Sequence, residues 1–149
     1  MTVFIDADGC PVVDITIKIA NQTGADCVLV CDTSHVFDKI GTKTVVVSKG
    51  NDSVDFALVN MAQKGDIVVT QDYGLAAMCL ARGAVCVSQN GMIYSDKNIE
   101  SLLMQRYAAK KIRGERRSSR SARLKGPPKR TPEQDAAFEK TLKKLLDVK

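Results

Sequence analysis

Five short apolar runs limit what this chain can fold into. They are Val3-Phe4-Ile5, Cys27-Val28-Leu29-Val30-Cys31, Thr44-Val45-Val46-Val47-Ser48, Ile67-Val68-Val69-Thr70 and Val85-Cys86-Val87. Each reads as a buried strand, and the stretches between several of them carry helical signals. Pro11 suits a first helical turn, where its missing N–H costs nothing, and Gly24 supplies a stop. The run between them is rich in β-branched residues, but its length and its bracketing residues predict a helix over 12–21. Val54, Ala57, Leu58, Met61 and Ala62 form one apolar stripe in a helix over 51–63 that Asp52 or Ser53 can cap. Further helices are expected over 75–81, stopped by Arg82-Gly83, and over 99–111, opened by Asp96 or Asn98. Asn90-Gly91 is a tight-turn signal, with Met92-Ile93-Tyr94 after it as the return of a small hairpin. Strands alternating with helices at this spacing predict an α/β fold. The expected form is a three-layer sandwich with a mostly parallel, about five-stranded sheet.

In such a sheet the site lies beyond the carboxyl ends of the strands, near a switch point. Acids are placed for that edge. Asp6 and Asp8 follow the first strand, Asp52 and Asp55 open the helix after the third, and Asp72 stands two residues after the fourth. Crowded carboxylates raise one another's pKa, and a hard cation such as Mg²⁺ or Mn²⁺, which takes oxygen ligands, relieves the repulsion. A metal held there can activate water and stabilise charge on a phosphodiester. Structural roles compete at each position. Asp52 can serve as an N-cap, Asp55 as a capping-box partner or first-turn charge, Asp72 as the cap of the following helix, and Asp8 as a turn residue. Asp6, ending a buried strand, has the fewest alternatives. Lys49, on the same edge, is placed to touch a phosphate or to be solvated, and His35 lies in a polar loop.

The 149 residues suffice for one domain with a real core. Eleven of the 22 basic side chains and one of the 17 acids, Glu115, fall between Arg106 and Arg130, a local balance of +10 against −5 for the remainder. From Arg113 the chain turns Ser-, Arg- and Pro-rich. The expected organisation is therefore a domain over 1–112, a basic arm over 113–130 and a C-terminal helix over 131–149. Thr131-Pro132-Glu133-Gln134 opens that helix, and Phe138, Leu142, Leu145 and Leu146 give it an apolar stripe to dock on the domain or on a partner. The arm, with Arg113, Arg116, Arg117, Arg120 and Arg123, fits a polyanion such as RNA, and its few aromatics point to backbone contact rather than base stacking. No apolar run approaches the ~18 residues of a membrane span. The N-terminus has no basic segment ahead of its apolar run, so the expected location is the cytoplasm. Five cysteines without Cys-x-x-Cys spacing argue against a disulfide framework and a structural zinc site. Cys10, at an expected helix start, stands where the dipole lowers a thiol pKa, but no base partner accompanies it. The sequence sets no oligomeric state.

The opening Val3-Phe4-Ile5-Asp6-Ala7-Asp8-Gly9-Cys10-Pro11-Val12, the segment Asp52-Ser53-Val54-Asp55, and Gly65-Asp66 through Thr70-Gln71-Asp72-Tyr73-Gly74-Leu75-Ala76 resemble the YaiI/YqxD family of bacterial proteins. Asn90-Gly91-Met92-Ile93-Tyr94, Asn98-Ile99 and the Gly-Pro segment before the last helix extend the resemblance over nearly the whole chain. That family is grouped with PIN-like domains, whose relatives are metal-dependent ribonucleases. The resemblance implies that Asp6 is the acid ending the first strand, Asp55 the acid of the central helix and Asp72 the acid of a Thr-x-Asp element, with Asp8 part of the family's own opening motif. Together they imply a metal-dependent nuclease with catalytic Asp6, Asp8, Asp55 and Asp72, of which Asp6, Asp55 and Asp72 hold Mg²⁺ or Mn²⁺. The acid that many PIN domains carry near the fifth strand has no counterpart between Val85 and Gln89. Two rivals follow. One is a non-catalytic RNA-binding protein that uses the basic arm. The other is a haloacid-dehalogenase-like phosphatase with Asp6 as nucleophile, Asp8 as acid/base and Ser48 in a second motif. Such phosphatases place a flap between the first strand and its helix, whereas Pro11 here starts the helix at once.

Overall fold

A computed structural model describes residues 1–32, 42–47, 53–115 and 129–146. His35, Ser48, Lys49, Asp52, Arg116, Arg117, Arg120 and Arg123 lie outside the described residues, as does the Gly-Pro segment, and for 113–115 the description is of the backbone. Five parallel strands form one sheet: β1 (Thr2–Asp6), β2 (Asp26–Asp32), β3 (Lys43–Val47), β4 (Ile67–Val69) and β5 (Val85–Val87). Their order across the sheet is β3-β2-β1-β4-β5, with every pairing parallel. From β1 the chain progresses one way to β2 and β3, then places β4 and β5 on the other side of β1. The switch point therefore lies between the carboxyl ends of β1 and β4, where Ile5 stands in register with Val69.

The helices are α1 (Val13–Thr23), α2 (Ser53–Met61), α3 (Tyr73–Ala81), α4 (Asp96–Glu115) and α5 (Pro132–Leu145). Alternation along the strands sends side chains to two cores. Val3, Ile5, Leu29, Ile67 and Val69 pack with α1 and α5, whereas Phe4, Val30, Val68 and Cys86 pack with α2, α3 and α4. The result is the three-layer α/β sandwich expected from the sequence. Both faces of the central strands are covered, which is why they read as continuous apolar runs.

Local chemistry explains the ends of the elements. In α1, tertiary burial of Val13, Thr16, Ile17, Ile19 and Ala20 outweighs the reluctance of β-branched residues to be helical. The Thr16 hydroxyl donates to the Val12 carbonyl at 2.7 Å. Gly24, at φ 74°, closes the helix with its N–H directed at the carbonyls of Ala20 and Asn21. Pro11 is not in the first helical turn as expected; it lies two residues before it, just after a turn closed by the Cys10 amide on the Ala7 carbonyl at 3.1 Å. The α4 start belongs to Ser95 and Asn98, each donating its backbone N–H to the other's side-chain oxygen. This helix runs to Glu115, beyond the expected end near Lys111, so Arg113 belongs to its last turn rather than to an extended arm. Val87 and Ile93 form an antiparallel bridge, the small hairpin that Asn90-Gly91 announced. The α5 start carries a complete capping box, with Thr131 and Gln134 bonded reciprocally, and Phe138 and Leu142 are fully buried against the α1 side. No described helix is long and apolar enough to cross a membrane.

Candidate functional site

β1 delivers Asp6 to the switch point as its last residue, and β4 delivers Thr70 beside it. The Thr70 hydroxyl donates to Asp6 Oδ2 at 2.9 Å and accepts the Asp72 backbone N–H at 3.0 Å. Thr70 is fully buried, its carbonyl accepts from the Tyr94 hydroxyl at 3.1 Å, and its amide donates to the Val87 carbonyl. Both bonding directions of its hydroxyl are thus fixed, and with them the positions of Asp6 and Asp72. Tyr94, itself buried, meets Tyr73 edge to face with ring centroids 6.0 Å apart, closing the floor behind Thr70.

Burial pushes the Asp6 carboxyl up from the ordinary 3.8 to about 6. The Thr70 hydrogen bond opposes this, and the charges of Asp72 and then Asp8 add to it. Asp8 is held from β2: its Oδ2 accepts the Asp32 N–H at 3.4 Å. Gly9, at φ 69°, takes the left-handed conformation that turns the chain after it. Asp72 caps α3, its Oδ1 accepting from the amides of Gly74 at 2.9 Å and Leu75 at 3.2 Å, so the capping role considered for it is real. The helix consequently starts at Tyr73, two residues before the expected Leu75. The same Oδ1 lies 3.4 Å from Nη1 of Arg106 on α4.

Three of the four acids singled out from the sequence therefore gather at one edge: Asp6 at the centre, with Asp72 and Asp8 acting on it. Asp55 is in the first turn of α2 as expected, and Cys79 of α3 lies within reach of the charges of both Asp55 and Asp6. Arg106, 34 residues from Asp72, had no local signal beyond its place in the basic run. Cys10 departs from expectation. Burial pushes its thiol up to about 11, outweighing the opposing Val12 amide, which favours the protonated form. None of the five cysteines forms a disulfide.

The donor chemistry fits a hard cation in kind, since carboxylate oxygens face one another with mutual repulsion around Asp6. Among the described residues, however, no group of three or more His, Cys, Asp or Glu side chains is arranged to hold one ion. Such a set suits an ion that keeps most of its waters and takes one or two carboxylates, which is how Mg²⁺ is usually bound.

A family profile described as "Uncharacterized BCR, YaiI/YqxD family" matches residues 4–148. The chain belongs to the YaiI/YqxD family. Among its relatives in that family, it is 48% identical over 149 residues to a UPF0178 protein of Exiguobacterium sibiricum, covering 100% of this chain and 99% of the relative. A UPF0178 protein of Clostridium acetobutylicum is 43% identical over 146 residues, covering 98% and 97%. One of Ruminiclostridium cellulolyticum is 48% identical over 149 residues, covering 100% and 93%. No solved structure matches the chain. With its family named, the switch-point cluster can be placed on its opening motif. Asp6 and Asp8 flank Ala7, whose amide donates to the Val30 carbonyl at 3.0 Å and extends the β1 ladder one residue past the strand. Ala7 thus spaces a carboxylate on the strand from one in the turn.

Proposed function

We propose that this YaiI/YqxD member is a metal-dependent nuclease acting on RNA, with Asp6, Asp8 and Asp72 as its carboxylate centre. The observation that carries the reading is the Asp6 carboxylate. It is half-buried at the switch point, pinned by Thr70 and pressed by two further acids. Burial and then the charges of Asp72 and Asp8 disfavour its ionised form, and a bound cation offsets that cost. Asp6 and Asp72 are the residues to hold Mg²⁺ or Mn²⁺, with Asp8 beside them. Asp55, in the first turn of α2, remains a candidate for the set. When bound, the ion lowers the pKa of a coordinated water and neutralises charge on the phosphodiester. The chain's own part is to hold the carboxylates apart at fixed positions through Thr70. Arg106 is placed to meet a phosphate, and the residues with Lys49, Arg113, Arg116, Arg117, Arg120 and Arg123 carry the positive charge that retains a polyanion. A cytoplasmic location, where RNA is abundant, accords with this reading.

The phosphatase alternative is disfavoured by the connection from β1 to α1, which is only residues 7–12 and too short for a flap. The non-catalytic RNA-binding alternative draws support from Asp72, whose Oδ1 already serves a helix cap and Arg106. One experiment separates these readings. Purified full chain is incubated with end-labelled single-stranded RNA and Mg²⁺ or Mn²⁺. The expected result is cleavage that EDTA and Asp6→Asn abolish while binding persists. Binding without cleavage under either metal leaves the RNA-binding alternative, and a trapped aspartyl-phosphate on Asp6 favours the phosphatase.

A further inference from the structure

The first two turns of α4 and its remainder are different objects. Ile99 is buried and Leu102 and Leu103 pack on the body, but every residue from Met104 to Ile112 is exposed. From Met104 to Glu115 the helix continues for about 18 Å at the usual rise of ~1.5 Å per residue. It leaves the body at the acid site, where Arg106 meets Asp72. Between Ser101 and Gly114 the sequence has four basic residues, Arg106, Lys110, Lys111 and Arg113, and no acid. Tyr107, the one aromatic between Arg106 and Arg130, is 69% exposed in the middle of this charge. Lys110 and Lys111 stand three and four positions after it, so they share its side of the helix.

We propose that the outer half of α4 is a platform for single-stranded nucleic acid, with Tyr107 stacking on a base and Arg106 and Lys110 tracking the backbone toward Asp6 and Asp72. The proposal rests on the nuclease reading for its direction but not for its binding chemistry. A positively charged track with an exposed aromatic is the recurring solution for binding single strands, because every base has a π-face and every linkage a charge. The composition of the basic segment pointed to backbone contact alone; its single aromatic is displayed, which adds stacking. The exposed apolar residues Met104 and Ile112 beside Tyr107 raise the alternative of pairing with a second copy. Charge argues against it. Two such helices would bring their lysines and arginines together, whereas a polyanion neutralises them.

The chain contains no tryptophan, so Tyr107→Trp installs a single fluorophore at the platform. The full-length variant is titrated with single-stranded RNA in EDTA, which prevents cleavage, and with an abasic strand of equal length. The expected result is quenching by the RNA and much weaker quenching by the abasic strand. In parallel, Tyr107→Ala should weaken binding roughly 5- to 100-fold and Tyr107→Phe should bind as the parent does, the range expected for one stacked base. Equal affinity of Tyr107→Ala and parent, or equal quenching by both strands, overturns the platform even if Asp6-dependent cleavage is observed. Stacking without cleavage under Mg²⁺ or Mn²⁺ sustains the platform and removes the nuclease reading. A parent dimer in light scattering that Tyr107→Ala dissociates, with RNA affinity unchanged, overturns the platform in favour of an interface between copies.

Discussion

Asp6 carries an electrostatic cost that its neighbours can be used to measure. Its carboxyl is raised from 3.8 to about 6, so between those values the folded chain holds a proton that the unfolded chain has released. Stability is favoured below the lower value and falls as pH rises through the upper one, by roughly 3 kcal/mol at most over the whole window. In metal-free buffer, urea titrations at about pH 5 and about pH 8 should show the parent losing roughly 1–2 kcal/mol more than Asp6→Asn, whose amide does not titrate. A parallel pH response in the two proteins would remove the electrostatic argument for a cation. Thr70 is the other residue at this scale. Replacing it with Val keeps its shape but deletes the donor to Asp6 and the acceptor for the Asp72 amide. The expected cost is about 1–3 kcal/mol by denaturant titration, with Thr70→Ser recovering most of it.

At the scale of elements, substitution can separate the cap that Asp72 forms from the ligand role proposed for it. As the cap of α3 it satisfies two amides, and Asp72→Ala should cost about 1 kcal/mol through that loss alone. Asparagine caps as well as aspartate but brings no negative charge. Asp72→Asn should therefore leave the melting midpoint close to that of the parent while abolishing metal-dependent cleavage. Retained cleavage would show that Asp72 is a cap and not a ligand. The cap was legible in the sequence, because an acid just before an expected helix is a local fact. The five strands were legible for the same reason: burial on both faces leaves an apolar run. What spacing could not show was Arg106 meeting Asp72 across 34 residues, since that meeting is set by the packing of α4 against α3. Nor could it show the length of α4. Gly114 and the surrounding charges weaken a helix locally, but they do not end this one.

Across the whole molecule, α5 makes a closed body of the chain and fixes where the basic segment returns. Arg130 donates to the Gln89 carbonyl and Asn90 Oδ1 and pairs with Asp135. The Thr141 hydroxyl donates to the Gly91 carbonyl at 2.9 Å, and a Cβ on Gly91, at φ 86°, would stand 2.6 Å from the Ala137 carbonyl oxygen. The C-terminal helix is thus keyed to the turn after β5, beside the carboxyl edge that bears Asp6. The segment carrying Arg116, Arg117, Arg120 and Arg123 lies in the sequence between α4 and α5. Their contribution is separable from that of Tyr107. Replacing all four arginines with Ala should reduce the slope of log affinity against log salt by about 3 if each contacts a phosphate of a single strand. It should weaken binding of every sequence alike and leave the thermal midpoint of the body where it was, as measured by fluorescence anisotropy across a salt series and by circular dichroism. An unchanged salt slope would assign the polyanion contact to α4 alone.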